Sequence, residues 1–218
     1  MILDILSKFN KLKIILASTS PRRIEYLGKL GVEFEIVESK FKEDLDKSQF
    51  QSVYDYCLEN AKLKAIHTGL QLKEHQQQQQ PNIIIGSDSI VVYDNKIFEK
   101  PKSLEEAKSM LSLLSGKIHT VCTAVHIEFF NEKTNSKGSS SFYTLTNVEF
   151  DQLSPELINY YVDNFKPLDK AGSYGIQEVA AASFIKSING DFYNVTGLPI
   201  HDLSTNLRKV YIDNFLEK

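Results

Sequence analysis

Four stretches of this 218-residue chain carry side chains that could bind or activate a charged ligand. The first is Ser18-Thr19-Ser20-Pro21-Arg22-Arg23, where an apolar run, KIILA at 13–17, meets a hydroxyl-rich turn and Pro21 is placed to open a helix. Backbone N–H groups at a helix start favour anions. Ser18 and Ser20 add hydroxyl donors, and the planar forks of Arg22 and Arg23 suit phosphate oxygens. The stretch reads as a phosphate cradle without the glycines of a Walker loop, or as a helix capped by Ser20 with two solvated arginines. The second is Gly86-Ser87-Asp88-Ser89, directly after Ile83-Ile84-Ile85. An acid at the carboxyl end of a buried strand sits where α/β proteins bind ligands. Such a carboxylate can hold Mg²⁺ or take a proton from water. The plainer alternative makes Asp88 a turn cap, but apolar residues follow at 90–92, and a buried charge is costly unless paired.

The third set is scattered: Lys64 in a helical stretch, Lys100 in Glu99-Lys100-Pro101, and Glu43 in the charged run 40–47. Taken singly, each is a surface charge. The fourth is DKAGSYGIQ at 169–177, where two glycines bracket an aromatic and Gln177 could read a base edge through its paired donor and acceptor. Its alternative is a glycine-rich structural turn. The five histidines are dispersed and form no HExxH or metal pair, and there is no nucleophile elbow.

The elements that must position these residues alternate between β and α. Residues 13–17 read as a strand that turns into a helix at 22–30, stopped by Gly31; VEFEIV at 32–37 alternates like a half-buried strand. Residues 51–71 have helical spacing. A glutamine-rich surface loop spans 74–81, and a strand at 82–93 is closed by an Asp94-Asn95 turn. Ser103, with Glu106 three residues on, caps a helix to 114. Residues 119–130 and 142–150 read as strands around a polar hairpin loop at 131–141, 154–164 as a helix, and 200–215 as a closing helix. The alternation predicts an α/β fold with a mixed sheet and flanking helices, with no internal repeat.

Composition narrows the function. With 25 Lys+Arg against 28 Asp+Glu the net charge is −3, which argues against coating a nucleic acid, although a local site can still be basic. Cys57 and Cys122 are too few for a disulfide framework or a four-cysteine zinc site and read as reduced core thiols. No segment is apolar for long enough to span a membrane. The amphipathic residues 1–12, an N-terminal extension, lack a secretory h-region, so the expectation is a cytoplasmic protein.

Taken together, LASTSPRR (16–23), IGSDSIV (85–91) with Lys100-Pro101, LSGKIHTVCT (114–123), DKAGSYGIQ (169–177) and NVTGLP (194–199) resemble the Maf family of nucleoside triphosphate pyrophosphatases, from residue 13 to the end. The resemblance implies an elongated, two-lobed fold similar to the inosine-triphosphate pyrophosphatases, a single Maf-like domain over 13–218 with a central cleft. It implies hydrolysis of a nucleoside triphosphate to the monophosphate and pyrophosphate with a divalent cation, Mg²⁺ or Mn²⁺. It makes Asp88 the proton acceptor, with Glu43 an acidic position near the metal alongside it. It assigns Ser18, Arg22, Arg23, Lys64 and Lys100 to phosphate contacts, and Arg22, Ser89 and Gln177 to specificity.

Arginine at 22 and the sequence Gly175-Ile176-Gln177 are similar to the branch acting on dTTP and UTP. Ser87 and Ser89 stand where the family has alanine and threonine; serine at 89 keeps the hydroxyl, and the lost methyl would loosen base selectivity. The same resemblance leaves open an enzyme acting on 7-methyl-GTP or modified nucleotides, and a non-catalytic nucleotide-binding regulator of cell division. It also implies assembly as a homodimer.

Overall fold

A computed structural model describes residues 1–74 and 80–216. In chain order, a 3₁₀ turn (Leu3–Ile5) precedes α1 (Leu6–Phe9), β1 (Ile14–Leu16), α2 (Pro21–Lys29), β2 (Glu35–Ile36), a 3₁₀ turn (Lys47–Gln49) and α3 (Val53–Glu74). Then come β3 (Ile83–Tyr93), β4 (Lys96–Phe98), α4 (Leu104–Leu114), β5 (Ile118–Asn131), β6 (Ser136–Phe150) and α5 (Pro155–Phe165). A 3₁₀ turn (Ala171–Ser173), α6 (Val179–Ala182), β7 (Ile185–Asn189), α7 (Phe192–Thr196) and α8 (Ile200–Asn214) complete the chain. The seven strands form one mixed sheet in the order β2-β1-β3-β5-β6-β7, with β4 added against β3. β1 pairs in parallel with β2 and β3, whereas the β3–β4 and β6–β7 pairs are antiparallel. This is the α/β class that the alternating pattern predicts. Among the described residues no helix is long and apolar enough to cross a membrane.

The chain divides into two compact units. Unit 1 takes Met1–Asp88, Ala124–Tyr143 and the chain from Gly197 on; unit 2 takes Ser89–Thr123 and Thr144–Thr196. In unit 1 the two-residue period of the strands sorts the apolar side chains. Ile14, Leu16, Ile83 and Ile85 join Leu27 of α2 and Leu203, Leu207 and Val210 of α8. Ile15, Ala17 and Ile84 join Ala65 and Leu72 of α3. Ile2 and Phe9 are fully buried in the first cluster, and the Ile2 N–H donates to Ser204 Oγ at 2.9 Å, so the N-terminal turn is part of this core. Cys57 and Cys122 are buried and are not in a disulfide.

The core of unit 2 packs α4 (Ala107, Leu111, Leu114) and α5 (Ile158, Val162) with Val91, Phe98, Val121 and Phe150 of the strands. Phe150 is its hub, meeting His119, Tyr174 and Phe184 edge-on at ring centroids of 4.6, 4.8 and 5.2 Å. The hydroxyl cap expected at Ser103 forms, its Oγ accepting the Glu106 N–H, and at the start of α5 Ser154 Oγ accepts the Leu157 N–H.

Three local expectations differ. The strand over 32–37 shrinks to Glu35–Ile36, with both side chains exposed, because the parallel ladder with β1 is only two residue pairs long. The hairpin loop over 131–141 is reduced to a turn at 132–135, where Asn135 takes the left-handed conformation (φ 52°) and β6 starts at Ser136. β3 fills the strand expected over 82–93, but Asp88 is not at its carboxyl end. The strand passes from parallel pairing with β1 at Ile83–Ile85 to antiparallel pairing with β4 at Val91–Tyr93, so Asp88 lies mid-strand, just beyond the carboxyl end of the parallel part. The expected loop at 74–81 falls largely on residues 75–79, outside the described residues.

Candidate active site

The candidate residues of unit 1 are presented by the β1–α2 turn with the first turn of α2, the loop that carries Glu43, α3 and the middle of β3. On β3, Gly86 lets the strand lie directly under α3, since a Cβ there would come within 2.1 Å of the Ala61 carbonyl oxygen and 2.9 Å of the Ala65 nitrogen. Two residues on, the Asp88 side chain shares that face, and α3 supplies its partner. Lys64 Nζ lies 2.8 Å from Asp88 Oδ1 and 3.0 Å from Glu43 Oε1. The Lys64 and Asp88 side chains are only 12% and 11% exposed. The pairing required of a buried carboxylate is therefore met by a lysine that sequence spacing could not distinguish from a surface charge. Lys62, two positions earlier, instead pairs with Glu59 at 3.0 Å. The loop carrying Glu43 is held to α3 by Ser39, whose Oγ donates to the Lys64 carbonyl at 3.2 Å.

Arg23 is not a solvated helix residue. Its Nε donates to the Gly197 carbonyl at 2.9 Å, and its Nη1 donates to the Ser87 carbonyl at 2.8 Å and to Ser18 Oγ at 3.3 Å. One guanidinium thus ties the β1–α2 turn to the strand residue preceding Asp88. Burial pulls its pKa below the usual arginine value, and the charges of Asp88 and Glu43 act in the opposite direction. Arg22 lies close enough for its own positive charge to be felt at Arg23. Ser20 occupies the N-cap of α2, but its hydroxyl makes no cap bond; its N–H donates to Ser18 Oγ at 3.3 Å, with Pro21 at the first helical position. Ser18, Arg22, Arg23, Glu43, Lys64 and Asp88 are therefore brought together within one unit.

Unit 2 carries the other three candidates. Ser89 Oγ lies 2.9 Å from Thr123 Oγ1. Lys100 is exposed after β4. Gln177 folds back over Gly175, where an added Cβ would meet Gln177 Nε2 at 2.7 Å and the Lys170 stem at 2.9 Å. The path of residues 169–177 is specific: Gly172 takes φ +68° with Val91 against it, Tyr174 is buried with its hydroxyl 2.8 Å from His119 Nε2, and Lys170 bridges Asp169 (2.6 Å) and Glu178 (2.8 Å). Sequence reasoning attached no role to Thr123 or Asn194, which form the buried polar support of Ser89. The local signal is slight: Thr123 is a polar residue between apolar residues of β5, and Asn194 one in the short helix α7.

A sequence model of one family, described as "Maf-like protein", matches residues 13–210. The chain belongs to the Maf-like family. This Maf-like chain is 93% identical over 191 residues to a Dictyostelium discoideum protein named nucleoside triphosphate pyrophosphatase, with 88% of each chain covered. It is 41% identical over 180 residues to a Thermotoga maritima protein named dTTP/UTP pyrophosphatase, covering 83% of this chain and 80% of the relative. It is also 41% identical over 189 residues to a human protein named probable bifunctional dTTP/UTP pyrophosphatase/methyltransferase, covering 86% of this chain and 30% of the human one.

Proposed function

We propose that this chain hydrolyses dTTP and UTP to the nucleoside monophosphate and pyrophosphate. The observation that carries the reading is the Glu43–Lys64–Asp88 cluster, whose reactive acid sits beside a strand residue bonded to Arg23. The names of the relatives from Dictyostelium and Thermotoga support the substrate class.

In this reading water attacks the α-phosphorus, the bond from that phosphorus to the bridging oxygen breaks, and pyrophosphate leaves with the bond electrons. Asp88 accepts the proton of the attacking water. Lys64, on one carboxylate oxygen, fixes the Asp88 rotamer. Ser18, Arg22, Arg23 and the amino end of α2 meet phosphate oxygens, and Lys100 adds a further cation. Catalysis then rests on positioning and charge stabilisation, as in phosphoryl transfer generally. Ser89, Gln177 and Arg22 set which base is accepted.

Glu43 and Asp88 are two oxygen donors on a common lysine. Among the described residues no three His, Cys, Asp or Glu side chains form a cage for a metal. A pair of carboxylates fits the protein's share of a Mg²⁺ or Mn²⁺ that takes its remaining oxygens from the triphosphate. Bound there, the ion would neutralise phosphate charge and polarise the α-phosphate. We also propose a free nucleotide substrate in the cytoplasm rather than a nucleic acid, in keeping with the net charge of −3.

Pyrophosphate release from dTTP, UTP, CTP and 7-methyl-GTP, with Mg²⁺ and with chelator, tests the reading. Turnover of dTTP and UTP above the other two, lost with chelator, is the expected result. Binding without turnover of any of the four would overturn it.

A further inference from the structure

Lys64, His67 and Gln71 follow one another at three- and four-residue spacing on α3, so they form one stripe along the helix. Each meets the segment that carries Glu43. Gln71 is half-buried, and its side-chain amide clasps that segment at two points. Its Nε2 donates to the Glu38 carbonyl at 3.2 Å, and its Oε1 accepts the Lys40 N–H at 3.0 Å. A flipped amide would set oxygen against carbonyl and NH₂ against N–H, so one orientation satisfies both bonds. One turn back along α3, the rings of Phe41 and His67 lie 5.2 Å apart between centroids. Ser39 adds a tie to the helix backbone: its Oγ donates to the Lys64 carbonyl at 3.2 Å and accepts the Phe41 N–H at 3.3 Å. A further turn back, Glu43 Oε1 lies 3.0 Å from Lys64 Nζ. The order 40, 41, 43 along the segment thus matches 71, 67, 64 along the helix, and the segment runs antiparallel to α3. The Glu43 side chain is 52% exposed, so its own burial does not fix its place.

We propose that Gln71 is a positioning residue for the divalent cation: by clasping the backbone at Glu38 and Lys40 it sets the segment so that the Glu43 carboxylate stays beside the Lys64–Asp88 pair. The inference rests on the reading above of Glu43 as an oxygen donor to Mg²⁺ or Mn²⁺. Without the clasp the segment samples more conformations. The cation then finds Glu43 in place in only a fraction of the molecules. Its apparent affinity falls by that fraction, while the chemistry of the loaded site is unchanged.

The test is Mn²⁺ binding, followed by electron paramagnetic resonance, to the wild type, Gln71→Met, Glu43→Gln and the double variant, each saturated with the non-hydrolysable α,β-imido-UTP. Methionine keeps the length of glutamine and can make neither bond to the segment. Gln71→Met is expected to weaken Mn²⁺ binding roughly tenfold, yet to reach the wild-type kcat with UTP once Mn²⁺ is saturating. In the Glu43→Gln background the same substitution is expected to leave Mn²⁺ affinity unchanged, a dependence that a purely structural role for Gln71 would not produce. Ser39→Ala, which removes the tie to the Lys64 carbonyl, is expected to weaken Mn²⁺ binding in the same sense and keeps the inference testable if Gln71→Met does not fold. The inference alone is overturned if Mn²⁺ affinity is unmoved by Gln71→Met, or by Ser39→Ala where the methionine variant does not fold, or if the loss is equal with and without Glu43. A Glu43→Gln protein that binds Mn²⁺ as tightly as the wild type would overturn the metal reading, and the inference with it.

Discussion

Lys64 Nζ stands 2.8 Å from Asp88 Oδ1 while also holding Glu43 Oε1 at 3.0 Å, so one ammonium serves two carboxylates on separate segments of unit 1. Replacing Lys64 by Met leaves the buried Asp88 carboxylate without that partner. The account expects turnover to drop roughly 10²-fold and stability to fall by about 3 kcal/mol. Pyrophosphate release and urea unfolding measure the two effects, and near-normal turnover in a folded Lys64→Met protein would contradict the role given to the pair.

Arg22 and Arg23 are adjacent but do different work. Arg23 uses its fork on Gly197, Ser87 and Ser18, and a lysine cannot reproduce those three bonds. Arg23→Lys is expected to lower stability by about 2 kcal/mol and to impair turnover. Arg22→Lys is expected to raise KM and to cost less stability than Arg23→Lys in denaturant unfolding, because Arg23 is the one that burial and three hydrogen bonds build into unit 1. Equal destabilisation by the two substitutions would remove the distinction.

Much of this was legible in the sequence, and the exceptions share a cause. The helices behind α3, α4, α5 and α8 declare themselves by periodicity, and the start of α4 by the capping chemistry of Ser103, because both signals are local. The chemical types at Asp88, Arg22 and Arg23 were equally visible. Choosing Lys64 over Lys62 as the partner of Asp88 depends on which face of α3 meets β3, and Glu43 depends on the loop at 40–47 folding back onto that helix. Those are tertiary facts. So is the Thr123–Asn194 link, which spans 71 residues of sequence. The short β2 and the unforeseen α7 and β7 sit where short, irregular segments carry little periodic signal.

Gly86 sets how closely β3 and α3 approach, and the backbone of α3 has no room to yield locally. Gly86→Ala is expected to destabilise the chain by about 2–3 kcal/mol and to reduce turnover by shifting Lys64 from Asp88. Thermal unfolding together with the pyrophosphate assay checks this; an alanine variant with wild-type stability would mean that the contact relaxes without cost.

His119 gives unit 2 a pH dependence of known sign. Burial lowers its pKa from 6.5 to about 4. Between those values the unfolded chain binds a proton that the folded chain does not, so this contribution is complete above about pH 6.5 and is lost as pH falls toward 4. It amounts to at most about 3 kcal/mol. Urea midpoints at pH 7 and pH 5 should differ more in the wild type than in His119→Gln, which does not titrate. Equal differences in the two proteins would contradict the assignment.

The central claim is that Asp88 takes the proton of the water that cleaves dTTP and UTP. The most direct measurement is pyrophosphate release by Asp88→Asn beside the wild type, with nucleotide affinity determined by calorimetry on the same preparations. The account predicts turnover at least about 10³-fold below wild type, with dTTP and UTP still bound. An Asp88→Asn protein that releases pyrophosphate at near the wild-type rate would contradict it.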